Sequence, residues 1–452
     1  MFRYIFRTVV EIMIGKLSKL LLNKTSFLLI IYTLVSICIL DLVLIRNSNF
    51  LLLSFDIIGA IDLYLAIVVT YLLLQFLMIF ALSKNDLFKT PDRVYNWIRR
   101  LVIVVQITLS GIVGSIIFEI LLFSQYHTIL ASITIGLSYL FSILLLGFVV
   151  KKFIHWYNMN RLNNNLILYA ISTVALLTNF VISFLFFELV SFNWNPINPT
   201  AVGQNYIYIP AGSFLEFLFN AQLVTTVISF ALLWYTTFKS LFHFLTKGRV
   251  HFILILLLPM LFFVFQYLLE YNSFLRNYIL TLSFFERNLY FLGLTITKPI
   301  GGLLFGIIFI ILSKRIPKQF HLHDYLILTS LGLFILFTTN QAAMVSMFPY
   351  PPFGLVSVAF LFLGTYFYLI GITFSVRSIS ENNELRNTIK KITKESDIRF
   401  LDEISSADIL SRIEQDVLKK VDKVDKKNTG IHSVDESELK QYVLDVLNEL
   451  KK

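Results

Sequence analysis

The chain has 452 residues, 57% of them hydrophobic and only 15% charged, with 45 phenylalanines. A water-soluble fold has no core large enough to hide that much apolar side chain, so the composition excludes an ordinary soluble domain and implies a bilayer as solvent. The net charge of +10 lies between apolar runs and does not point to nucleic acid, and a single cysteine, Cys38, excludes an intrachain disulfide or a cysteine-based zinc site.

In the first 25 residues, Phe2, Ile5, Val9, Ile12, Met13, Leu17 and Leu20 recur at helical spacing, with Arg3, Arg7, Lys16 and Lys19 between them. This predicts an amphipathic helix on the inner membrane surface, or a cytosolic helix packed on the loops. The first long apolar run starts near Ser26 with no small-residue cleavage pattern after it, so it reads as a span and not as a cleavable signal. Ten runs are long enough to cross about 30 Å of hydrocarbon at about 1.5 Å per residue. They lie at 26–45, 61–82, 101–123, 128–150, 166–190, 216–238, 252–270, 289–312, 325–347 and 353–375.

The loops between these runs alternate in charge. Residues 1–25, 83–100, 151–165, 239–251 and 313–324 hold 19 Lys and Arg, whereas the opposite loops hold only Arg46, Arg276 and Arg287. The positive-inside rule makes the rich side cytoplasmic. The expected fold is therefore all-α, a polytopic transmembrane helix bundle of about ten spans in the cell membrane, with both termini cytoplasmic. Residues 1–25 form the N-terminal helix, 26–375 the bundle and 376–452 a helical cytoplasmic tail. Trp97, Trp156, Tyr157, Tyr206, Tyr208 and Tyr350, all near span ends, read as an interfacial aromatic belt.

Several polar residues fall deep in apolar runs, where charge is costly unless paired or hydrated. Lys298 sits in Thr295-Ile296-Thr297-Lys298-Pro299-Ile300-Gly301-Gly302, and Glu119, Glu188 and Glu270 are its candidate partners. The Pro-Gly-Gly sequence suggests a broken helix, the kind of element that lines a substrate or ion site; a structural ion pair beside a proline kink is the plainer reading. Asp41, Asp56, Asp62, Glu216 and Glu286 join those three acids toward the outer side. Together they form either an acidic vestibule or carboxylates that simply reach water. Thr338, Thr339, Asn340 and Gln341 make a polar patch that either glues helices together or faces a ligand. The turn Phe348-Pro349-Tyr350-Pro351-Pro352-Phe353-Gly354 is expected to be a stiff outer connection fixing the last two helices, with docking of an external partner as the alternative. His321-Leu322-His323-Asp324 is too unspecific in spacing to define a metal site, and no pair of histidines can clamp a haem, so no cofactor is expected.

The tail changes composition abruptly, holding 15 of the 38 Lys and Arg and 16 of the 28 acids. Leu385, Ile389 and Ile392 mark one short amphipathic piece. A second starts at the N-cap pair Ser405-Ser406, with Asp408 in its first turn and the stripe Leu410, Ile413, Val417, Val421 and Val424. A third follows Ser433, with Leu439, Tyr442, Val443, Val446 and Leu450. Such stripes must bury against something: a second tail in a short coiled coil through residues 405–450, the inner face of the bundle, or a soluble partner.

Tyr350-Pro351-Pro352-Phe353-Gly354, the final span, then Val376-Arg377-Ser378-Ile379-Ser380-Glu381 and Leu385-Arg386 resemble a group of uncharacterised archaeal multi-pass membrane proteins over residues 338–389. The resemblance implies an archaeal plasma membrane and supplies no site residues. Three function classes follow from the residues: a membrane sensor or signalling scaffold relaying to the tail, a secondary transporter with a site near Lys298, or a structural subunit of a membrane complex. No nucleophile–base pair or metal set points to an enzyme.

Overall fold

The computed structural model describes residues 24–46, 57–88, 92–159, 164–190, 196–197, 212–242, 281–316, 321–340, 350–382 and 405–409, with single residues between 257 and 264 and between 384 and 389. The helices are α1 Lys24–Arg46, α2 Ile57–Lys84, α3 Arg93–Phe123, α4 Thr128–Met159, α5 Asn164–Val190, α6 Phe214–Phe242, α7 Phe284–Arg315, α8 Leu322–Thr339, α9 Leu355–Ala359 and α10 Leu361–Glu381. Two-residue strands β1 (Tyr126–His127) and β2 (Pro196–Ile197) pair antiparallel, with Tyr126 opposite Ile197. The fold is an all-α polytopic bundle. Eight of its described helical segments are long and apolar enough to cross a membrane, α9 and α10 counting as one, and α1 contributes a shorter apolar stretch, Leu29–Leu44. The expected seventh span, 252–270, lies outside the described residues except for Leu257, Met260, Leu261 and Val264, all helical.

Side-chain pairings fix the helix directions. Phe153 stacks on Tyr169 and Tyr139 packs on Phe180, so α4 and α5 are antiparallel. Ser172 with Thr236 and Phe186 with Phe219 make α5 and α6 antiparallel. By the same logic α2, α4, α6, α7 and α10 run one way, and α3, α5 and α8 the other. The first set ends at or near Lys84, Lys151 and Lys152, Lys239, Lys314 and Arg377. One face of the bundle is therefore the basic face. Because α6 and α7 are parallel, Phe242 and Phe284 stand at opposite faces.

The last helical unit is the core. Every residue from Tyr350 to Val376 is buried, so this segment has no lipid-facing side, as its apolar residues all round require. Phe353, Phe360, Phe367 and Phe374 recur every seven residues and meet Tyr64, Tyr71, Phe88 and Tyr95 in turn. The seven-residue period keeps one stripe on one side of the unit, facing α2, then the turn after it and the start of α3. On the other flank helices approach through glycine. A Cβ at Gly306 of α7 would collide with Ser330 of α8, one at Gly332 with the Tyr368 backbone of α10, and one at Gly371 would lie 2.5 Å from Thr329 N. Small residues let backbones touch where the bilayer gives no hydrophobic drive to association.

Four expectations are corrected here. The helix break at Pro299-Ile300-Gly301-Gly302 does not exist, because α7 runs unbroken with Pro299 inside it, and the glycines serve packing: Gly301 lies on Phe230 and Gly302 on Phe337. The expected ninth span, 325–347, is helical as α8 only to Thr339, where Asn340 leaves the helix to bond elsewhere, and 341–347 lie outside the described residues. The described part of the expected outer turn, Tyr350–Gly354, is buried, with Tyr350 stacked on Tyr126 and Phe353 against Tyr64, so it presents no exposed docking face. Trp156 is not in the interfacial belt; it is buried against Phe153, whereas Trp97 is exposed as expected. The expected N-terminal helix lies outside the described residues.

Candidate functional site

Near the middle of the bundle five helices meet in one polar node. Tyr139 of α4 donates its hydroxyl to Asn340 Oδ1 at 2.7 Å. Asn340 Nδ2 donates to Asn179 Oδ1 of α5 at 3.1 Å. Asn179 Nδ2 reaches Thr226 Oγ1 of α6 at 2.7 Å, with Thr225 Oγ1 and the Gln222 carbonyl at 3.2 and 3.4 Å. Lys298 Nζ of α7 donates to the Asn340 carbonyl at 3.2 Å. Asn179 lies 13 residues after Leu166 and 10 before Leu189, so the node stands near the middle of α5 and at the end of α8 that is far from the basic face.

Local chemistry explains why α8 stops there. Asn competes with helical backbone through its own side chain. At Asn340 that side chain is committed to Tyr139 and Asn179, and its carbonyl, free of the helix, points to Lys298. The negative end of the α8 dipole adds to this carbonyl. A lysine at the centre of a span costs about 2.5–3.5 kcal/mol on insertion scales. The carbonyl at the α8 terminus offsets part of that cost. Each side-chain hydrogen bond between membrane helices contributes about 0.6 kcal/mol, up to about 1.7.

Of the expected site residues, Lys298 and Asn340 are brought together. Glu119 is elsewhere, accepting from His127 N at 2.8 Å and lying 3.0 Å from His127 Nδ1. Glu188, half-buried, lies against Gly136 of α4. Glu270 and Gln341 fall outside the described residues. Three of the outer acids, Asp41, Glu216 and Glu286, hold local backbone, and Asp56 falls outside the described residues. Asp41 of α1 is fully buried and accepts from Gly354 N at 2.7 Å, Ser357 N at 2.9 Å and Ser357 Oγ at 3.0 Å, capping α9 from another helix. Glu216 accepts from Gly212 N, and Glu286 closes a capping box with Ser283, whose hydroxyl and backbone hold the Glu286 carboxyl below its ordinary range. Burial and neighbouring Tyr350 push the Tyr126 phenol well up.

Sequence reasoning missed Tyr139, Asn179, Gln222, Thr225 and Thr226. Their signal was present: Asn179 and Gln222 are amides inside apolar runs, as Asn340 is near the end of another. At the basic face, residues 405–409 sit on the bundle, one of the three alternatives open for the tail. Asp408 accepts from Trp156 Nε1 of α4 at 3.4 Å and from Ser380 Oγ of α10 at 2.8 Å. Ser405 and Ala407 are fully buried, as are Leu385 and Ile389 nearer α10, so part of the tail packs on the chain's own bundle. The stripe from Leu410 onward lies outside the described residues. His323 bonds Asp324 at 3.2 Å, and among the described residues no three His, Cys, Asp or Glu gather at metal-binding distance.

Searches against family profiles, curated proteins and solved structures find no match to this chain.

Proposed function

We propose that the protein is a membrane sensor or signalling scaffold, with the polar node as its responsive element and the seated tail as its output. The observation that carries this reading is Asp408. It ties the tail to Trp156 and Ser380 at the inner ends of α4 and α10, so the tail is seated on the helix that runs through the core. Asn340 ends α8, and α8 touches α10 backbone to backbone through Gly332, Gly364 and Gly371. A shift at the node therefore has a stiff route of about 27 Å, the length of 18 helical residues, to the basic face. The asymmetry of Lys and Arg supports a cytoplasmic basic face and tail. The resemblance around Tyr350–Glu381 supports an archaeal cell membrane.

The test is a cross-link. Ser380→Cys and Asp408→Cys, in a Cys38→Ser background, place two thiols where a 2.8 Å hydrogen bond stood. Oxidation in membranes is expected to join them, and adding Asn340→Ala is expected to change the rate several-fold. Efficient cross-linking that ignores the node variant sinks the relay.

A secondary transporter is the second reading, favoured by Lys298 held on a helix terminus inside the bundle. Loss of solute uptake in Lys298→Ala, with expression intact, distinguishes it from the first.

A further inference from the structure

The seam between α5 and α6 is polar along much of its length. Ser172, Asn179 and Ser183 fall on one stripe of α5, at steps of seven and four, facing Gln222, Thr226, Ser229 and Thr236 of α6. Most of these groups are closed on neighbours. Ser172 Oγ meets Thr236 Oγ1 at 2.9 Å, Thr226 donates to the Gln222 carbonyl at 2.6 Å, and Ser229 to the Thr226 carbonyl at 3.0 Å. Two are not closed. Gln222 Oε1 and Ser183 Oγ are buried without a partner among the described residues, in side chains only 7% and 1% exposed.

The two orphans share one neighbourhood. Asn179 reaches the Gln222 backbone, and Ser183 lies one turn beyond Asn179 on the same stripe, on the side away from the basic face. Beyond them Phe186 and Phe219, 5.7 Å apart, close the seam with Leu215 and Leu218. An unmet buried polar group is costly, and the surrounding hydrocarbon offers no remedy. The chemistry of the lining selects the occupant. Gln222 Oε1 can only accept, whereas the Ser183 hydroxyl can accept or donate. A cation is disfavoured by Lys298, joined through Asn340 to Asn179. An anion meets the lone pairs of Gln222 Oε1.

We infer that the α5–α6 seam beside Asn179 binds one small uncharged O–H donor, an ordered water or the hydroxyl of a small neutral solute, between Gln222 Oε1 and Ser183 Oγ. A buried water typically makes about three hydrogen bonds, and Gln222 Oε1 and Ser183 Oγ supply two of them. The inference rests on the node being a polar site and not on the relay to the tail. A failed cross-link at Ser380 and Asp408 leaves it untouched.

Radiolytic hydroxyl-radical footprinting of the full chain in lipid vesicles tests it, because a bound water generates hydroxyl radicals in place and a solute hydroxyl that displaces it consumes them. Phe219 is expected to oxidise several-fold faster than lipid-facing Phe76, and Ser183→Ala, which removes only the hydroxyl, is expected to abolish the difference. Glycerol separates the two sources, with labelling normalised to exposed Phe214. Altered Phe219 labelling assigns the seat to a solute hydroxyl, and unaltered labelling assigns it to water. Phe219 oxidising no faster than Phe76, or Ser183→Ala changing nothing, overturns the site. Gln222→Met gives a second reading by thermal unfolding: a lower midpoint is expected, whereas a raised one shows that the acceptor was bare.

Discussion

Helices α7, α8 and α10 are held together differently from α4, α5 and α6. The first three approach backbone to backbone through Gly306, Gly332, Gly364 and Gly371, with apolar side chains filling the flanks. The second three keep full side chains between them and are tied by Tyr139, Asn179, Thr226 and the Asn340 terminus. Close packing is hard to move without breaking it. A hydrogen-bonded node can exchange partners while the helices stay in place. The rigid layer thus suits transmission and the polar layer suits response, and α8, which belongs to both, joins them.

The largest expected effect breaks the rigid layer. Gly332→Leu drives a side chain into the Tyr368 backbone, and the cost is expected at or above the ~3 kcal/mol upper range of overpacking. Size-exclusion profiles in detergent should show loss of the folded species. Asp41→Ala comes next. It leaves Gly354 N and Ser357 N buried without their acceptor, for about 2–3 kcal/mol by thermal unfolding, and Asp41→Asn should recover part of it. In the polar layer Asn179→Ala and Asn340→Ala should each cost about 1–2 kcal/mol, with a double-mutant coupling near 1 kcal/mol showing that they act as one unit. Asp408→Ala should be smallest in global stability, at about 0.5–1 kcal/mol for the lost hydrogen bonds, yet should speed proteolysis of the tail.

The outline was legible because hydrophobic length and the placement of Lys and Arg are local properties. Lys84, Lys151, Lys239, Lys314 and Arg377 do fall on one face of the bundle. Lys298 and Asn340 were legible as polar residues out of place. What they touch was not, because it depends on residues up to 201 positions away, as between Tyr139 and Asn340. Pro299 misled, since a proline inside a tightly packed membrane helix need not break it. Asp41 looked like an outer acid because its role is set by Gly354 and Ser357, more than 300 positions along the chain. The Phe353-Phe360-Phe367-Phe374 period was a readable signal of the element that the whole bundle surrounds, and the Gly302–Gly306 spacing was one of close contact between α7 and α8.

Hydrogen–deuterium exchange of the full chain in lipid, wild type against Asn340→Ala, tests most directly whether the node and the tail seat are coupled. The coupled account predicts faster exchange at residue 340 and also at 376–381 and 405–409, on the far side of the membrane core. Faster exchange confined to the surroundings of residue 340 would contradict it.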